Sequence, residues 1–358
     1  MTAVVECRGS VRRRHGRTAG NTHMERIVER RKITFGTGTS FVPDLGIDDV
    51  DGVGPGWFRA MRLKRWQAVQ FGSPEIFGNV AVFSAGLLAI VQMKIWDRAT
   101  NQLHLYERKF APWKMRWSAR VDEGRVADAA TDAMVSFHNR WPSGEIVVRA
   151  DVPPTRAFPG SVLRVSLDTR ATSPLVAAMP FDSVRGAVAM KACLPIAGTL
   201  TAGDRTYDFD PGSAFAFLDH HQGYYPYRMR WDWVTGARIG TDGNRVGFNF
   251  TRNQAQNPEV HGENALWVGG EVHRLPPVTF ERAGHGGGET WRIRDTRGHV
   301  DVLFRPSVAS DLHLELLLLA SHYRGPFGTF TGSIRTPGGH VESVDGAVGM
   351  GEDFYLRA

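Results

Sequence analysis

The chain of 358 residues holds only two cysteines, Cys7 and Cys193. That is too few for a disulfide framework or a multi-cysteine metal site, and a reducing, cytoplasmic setting is the simplest expectation. Long hydrophobic runs are also missing. The longest nearly apolar stretch, Val80 to Met93, ends at Lys94 after fourteen residues, short of the roughly 18 that cross a bilayer as a helix, so no integral membrane segment is expected. Charge of one sign is scarce outside one place: residues 1–23 set five arginines against one glutamate, a net +4 of the chain's +6. They read as a basic extension, dispensable for folding. The remainder carries no basic stripe, which argues against nucleic acid as a partner. No Walker loop, dinucleotide-binding glycine motif or His-Glu-x-x-His zinc motif occurs, so no cofactor is expected. His285-Gly286-Gly287-Gly288 resembles an esterase oxyanion loop, but no serine stands in the Gly-x-Ser-x-Gly context such an enzyme needs, and a polar loop is the plainer reading.

What is present is glycine (40 residues), proline (19), phenylalanine (20) and tryptophan (10), the composition of strands joined by tight turns. Leu88 to Trp96 and Leu103 to Phe110 read as a hairpin around the turn chemistry of Asp97 to Asn101. Strand candidates recur every roughly 8–15 residues to the C-terminus, which predicts an all-β protein of antiparallel barrel or sandwich form. Leu312 to Ala320 does not alternate and could be a short helix. A small-residue, proline-containing stretch at 171–190 suggests a boundary near 185, giving β domains over 24–185 and 186–358.

One segment stands apart. Residues 218–233, LDHHQGYYPYRMRWDW, crowd acids, histidines, tyrosines, arginines and tryptophans into sixteen positions. Strand parity puts Phe215, Phe217 and Asp219 on one face, with Leu218 and His220 on the other. Adjacent His220 and His221 therefore point to opposite sides and are poorly placed to chelate one metal. Asp219, following an apolar run, could stay protonated and act as a general acid, with His220 or His221 as a base. Tyr224, Tyr225, Tyr227, Arg228, Trp231, Asp232 and Trp233 would shape a pocket and steady positive charge. The same cluster could instead be a structural corner of hydroxyl–backbone bonds and Arg–Asp pairs. Asn249, opposite in face to Phe248 and Phe250, and Glu263 and Asn264 before the next strand are further candidates for a binding role or a turn.

On these residues the chain resembles the bacterial domain-of-unknown-function family 2804. The resemblance rests on 215–233, the Gly-x-Asn run at 247–249, and Glu263-Asn264-Ala265 ahead of a Gly-Gly turn, and it covers about residue 25 to 358. Where the family's pattern has Asp-Trp-Gly-Arg-Gly, this chain has Asp219-His220-His221-Gln222-Gly223, so no role of that Trp or Arg carries over. A more distant likeness is to two-domain lipocalin-like proteins such as carotenoid 1,2-hydratases and tocopherol cyclases. It implies a pair of barrel-like domains, an apolar ligand site and chemistry without redox or metal cofactor.

Two functions lead, with a glycan-processing enzyme third because paired acids and tryptophans also suit sugars. One is a cofactor-independent hydratase, dehydratase, isomerase or cyclase for an isoprenoid or similarly apolar substrate. The other is a lipocalin-like carrier of a small hydrophobic ligand. A homo-oligomer is compatible with either.

Overall fold

The computed structural model describes residues 26–357 apart from 87, 119, 129–131 and 316–319. The basic extension expected at 1–23 lies outside the described residues. The described chain is all-β, two curled antiparallel half-barrel sheets with few helical turns. The first sheet runs from Gly36 to Tyr224 and the second from Arg228 to Arg357.

The strands form where alternation and turn residues foretell them. The Ala89–Asp97 and Gln102–Phe110 strands pair about a turn in which Asp97 Oδ1 accepts from the amides of Ala99 and Thr100. Glu145–Val152 alternates half-exposed and buried residues, as a strand with one wet face does. Leu312 to Ala320 is not a short helix as far as it is described: Asp311–Glu315 and Ala320–Arg324 are antiparallel strands, and 316–319 lie outside the described residues.

The boundary near 185 does not coincide with the division between sheets. Leu175–Pro180 and Gly186–Ala202 are a hairpin inside the first sheet, and Ala187 to Pro195 pairs with Gly223 to Phe215. The composition change marks a strand buried on both faces, where small and apolar residues replace alternation. The sheets divide instead at Tyr225-Pro226-Tyr227. Short ties join them elsewhere: Trp267 Nε1 donates to the Ser173 carbonyl at 3.0 Å and the Gln256 amide to the Pro180 carbonyl at 2.7 Å.

Each curled sheet encloses its own apolar core, around Phe71, Phe137 and Leu218 in the first and Phe248, Trp291 and Phe304 in the second. A third cluster fastens them face to face, Phe77, Phe215 and Phe217 of one sheet meeting Trp233, Trp267 and Phe327 of the other. Beside it the facing sheets part around a cavity.

Candidate functional site

The cavity measures about 760 Å³, within the range that holds a small organic ligand. Strand parity builds its walls. In the first sheet the Leu63–Gly72 strand pairs with Phe215–Tyr224, setting Trp66 opposite His221 and Ala68 opposite Asp219. The strand on the other side sets Lys191 opposite Asp219. In the second sheet Trp231 stands opposite Phe354 and Trp233 opposite Glu352. All face inward by the period of two.

Two polar groups sit in this apolar space. The first is an ion cluster. Lys191 Nζ lies 2.6 Å from Asp219 Oδ1 and 3.6 Å from Glu263 Oε2, while His221 Nε2 lies 3.0 Å and 3.5 Å from the same two oxygens. All four residues are buried. Burial pushes the Asp219 carboxyl up, but the Lys191 charge and His221 overcome it and hold Asp219 well below the usual carboxylate range. Burial likewise pulls Lys191 down, and Asp219 and Glu263 more than restore it. Asp219 is therefore ionised and cannot be the proton donor expected from its apolar neighbours; the countercharge is Lys191, 28 residues upstream.

The second group is Glu352. Its Oε2 accepts from Trp231 Nε1 at 2.9 Å and its Oε1 from the Tyr323 hydroxyl at 3.1 Å. Tyr323 in turn accepts from the buried Lys94 Nζ at 2.9 Å. Burial, with Asp219 adding to it, raises the Glu352 carboxyl against the opposing Trp231 bond and Lys94 charge. Burial also brings Lys94 down to about 8, which weakens its hold on the carboxylate form. The net effect raises the Glu352 carboxyl above the usual glutamate range, the opposite direction to Asp219.

Indole rings connect the two groups. Trp66 stacks on His221 at 4.3 Å and faces Trp231 at 6.0 Å. Trp66 Nε1 donates to Asp219 Oδ2 at 3.3 Å just as Trp231 Nε1 donates to Glu352. Lys191 lies 5.1 Å from the Trp233 ring centre.

The expected site residues separate cleanly. His221, Tyr225, Tyr227, Trp231, Trp233, Asp219 and Glu263 line the cavity. Asn249 stands behind it, accepting from Trp233 Nε1 at 2.6 Å and donating to the Glu263 carbonyl at 2.8 Å. Five others are elsewhere. His220 faces the first core, between Gln67 and Gln222, and burial, followed by His221, lowers it to about 3, so it is a neutral core group. Tyr224 shares that face, and Asp232 is paired with Arg252 and Arg282 on the far side of the second sheet. Arg228 is exposed on the Asp232 side of its strand. Asn264 holds a turn, accepting from the Thr251 amide and donating to the Pro276 carbonyl. Sequence reasoning missed Lys191, Trp66, Tyr323 and the role of Glu352. A lone lysine inside GAVAMKACLPIA was the available signal, because a charge in a doubly buried strand needs a partner.

A family model described as Domain of unknown function (DUF2804) matches residues 32–357. A search of curated proteins found no match. Among solved structures the chain is similar to CghA, at 12% identity and a TM-score of 0.52 over 92% of this chain and 96% of that one. A second CghA structure, with Sch210972, matches at 12% identity and TM-score 0.51 over 92% and 97%. Kievitone hydratase from Nectria haematococca matches at 10% identity and TM-score 0.47 over 90% and 97%.

Proposed function

The chain belongs to the DUF2804 family, and we propose that this member is an acid/base enzyme, a hydratase, dehydratase, isomerase or cyclase, acting on an apolar substrate such as an isoprenoid. One observation carries the reading: a single apolar cavity holds a buried carboxyl raised above its ordinary range, Glu352, beside a buried cluster of Lys191, Asp219, His221 and Glu263. A carrier gains nothing from burying four charged or titratable groups against its ligand, at a desolvation cost of several kcal/mol per ion. The fold shared with CghA, solved with Sch210972, supports a small-molecule role.

Glu352 gives its proton to a substrate double bond. The cation that forms lies among the faces of Trp66, Trp231 and Trp233, whose ring quadrupoles stabilise it. His221 takes the proton released by an adding water or by the substrate itself, its Nε2–H directed to Asp219 so that Nδ1 is the accepting atom, 3.4 Å from the Tyr225 hydroxyl. Lys191 keeps Asp219 ionised for that task. Glu263 Oε2, buried and without a hydrogen bond among the described residues, is left to receive a water or a substrate hydroxyl.

The test is turnover of prenyl alcohols and alkenes by the wild type and Glu352→Gln. Removing a positioned acid lowers the rate by about 100- to 10,000-fold, while the amide side chain keeps the shape and the ligand affinity. Binding without turnover in the wild type would instead favour the carrier, a reading the mainly apolar walls also suit. Unchanged turnover in Glu352→Gln would remove Glu352 as the donor.

A further inference from the structure

On the outer surface of the second sheet, away from the cavity, His313 and His322 are direct cross-strand partners in the hairpin of Asp311–Glu315 and Ala320–Arg324. Their imidazole rings stack with centres 4.1 Å apart and planes within 16°. Glu315, two residues along the same strand, projects to the same side and its Oε1 contacts His322 Nε2. One ligand atom from each residue lies within 4.8 Å of the other two. Two donors bound to one tetrahedral ion at about 2.1 Å stand about 3.4 Å apart, so small side-chain rotations bring all three onto one ion. The remaining Glu315 oxygen is 3.6 Å from Arg357 Nη2, an outer partner of the kind that orients a ligating carboxylate.

We propose that His313, Glu315 and His322 form a binding site for a zinc-class divalent metal. Two imidazoles and one carboxylate suit zinc, cobalt or nickel and not the all-oxygen preference of calcium and magnesium. Half-exposed placement leaves the fourth position to water. Its consequence lies on the other side of the hairpin. Ser321 and Tyr323 alternate with His322 and line the cavity, and Tyr323 holds Glu352. A metal joining both strands from outside would fasten the wall that carries Tyr323. The proposal stands on the hairpin geometry and does not depend on the catalytic reading.

The experiment is zinc titration of the full chain by calorimetry, after removal of metal with a chelator, for the wild type, His313→Ala, His322→Ala and the double variant, with folding checked by circular dichroism. The double variant gives the background from the other histidines. One equivalent bound by the wild type and weakened about tenfold or more by each single change supports the site. Equal affinity in all four proteins overturns it, as does tighter binding of calcium or magnesium at the same place. Hydrogen exchange of 311–324 tests the fastening: zinc should slow it in the wild type but not in the double variant. Exchange unmoved by bound zinc would overturn the bracing of the wall. Because His313 is exposed, His313→Ala keeps the test valid if His322→Ala misfolds.

Discussion

At the scale of residues, opposite electrostatic solutions stand within one cavity. Asp219 is held ionised by a lysine, and the Glu352 carboxyl, with weaker support against its burial, is raised above its ordinary range. Removing one partner of a buried pair costs about 3–5 kcal/mol because the other charge stays behind. Lys191→Met should therefore lose about that much stability at pH 7. Asp219 is depressed in the folded protein, so its contribution is present above the ordinary carboxylate value and is lost as pH falls through the folded one. The deficit of Lys191→Met should accordingly shrink as pH is lowered toward 4, where its stranded carboxyls can protonate. Urea denaturation at several pH values checks this, and a deficit independent of pH would assign the loss to packing. Glu352 has the reverse sign. Its raised value favours the folded state below the ordinary glutamate range, a contribution lost as pH rises through the folded value. Glu352→Gln should thus gain in melting temperature relative to the wild type as pH increases, while turnover by the wild type falls over the same interval. A melting difference that stays constant from acid to alkaline pH would mean Glu352 is not perturbed.

Among elements, the long Gly186–Ala202 strand decides the architecture. It pairs with Phe215–Tyr224 over its first half, then with Ser161–Asp168 and Arg205–Phe209 beyond Ile196. Close to this change of partners lies Gly198, with φ of +128° and no room for a side chain, since a Cβ there would fall 2.1 Å from the Arg164 carbonyl oxygen. Gly198→Ala should cost at least about 1–3 kcal/mol in denaturant unfolding. Gly287→Ala serves as control, because a Cβ there meets nothing within 4 Å, and equal losses at both sites would refute the argument. The same strand shows where sequence reading succeeds and stops. Hairpins such as 89–110 were legible because turn residues and alternation are local signals. The division between sheets was not. Burial on both faces erases alternation, so a strand at the centre of the first sheet looked like a change of domain. Within the two strands of 215–233 parity was readable in part, which separated His220 from His221 and paired Trp231 with Trp233. Lys191, Trp66 and Glu352 come from other strands, and only sheet pairing brings them to Asp219 and Trp231.

For the whole molecule, stability depends on the two sheets covering each other. The cluster between them takes Phe77, Phe215 and Phe217 from one side and Trp233, Trp267 and Phe327 from the other, each nearly fully buried. Residues 26–226 and 227–357 produced separately should expose these aromatics, bind a hydrophobic dye and aggregate. Produced together they should recover a soluble pair. Two soluble, dye-silent halves would mean that each sheet is self-sufficient.

The three-residue joint between the sheets has a mechanical consequence. Tyr225-Pro226-Tyr227 connects Phe215–Tyr224 to Arg228–Ile239, and both of these are interior strands of their sheets. Two of the three linking residues, Tyr225 and Tyr227, also line the cavity. A load applied across the halves thus reaches the middle of each sheet before its edges. It also passes through the cavity, so a molecule bound there would work as a strut, and its occupancy should register as stiffness at the link between the halves.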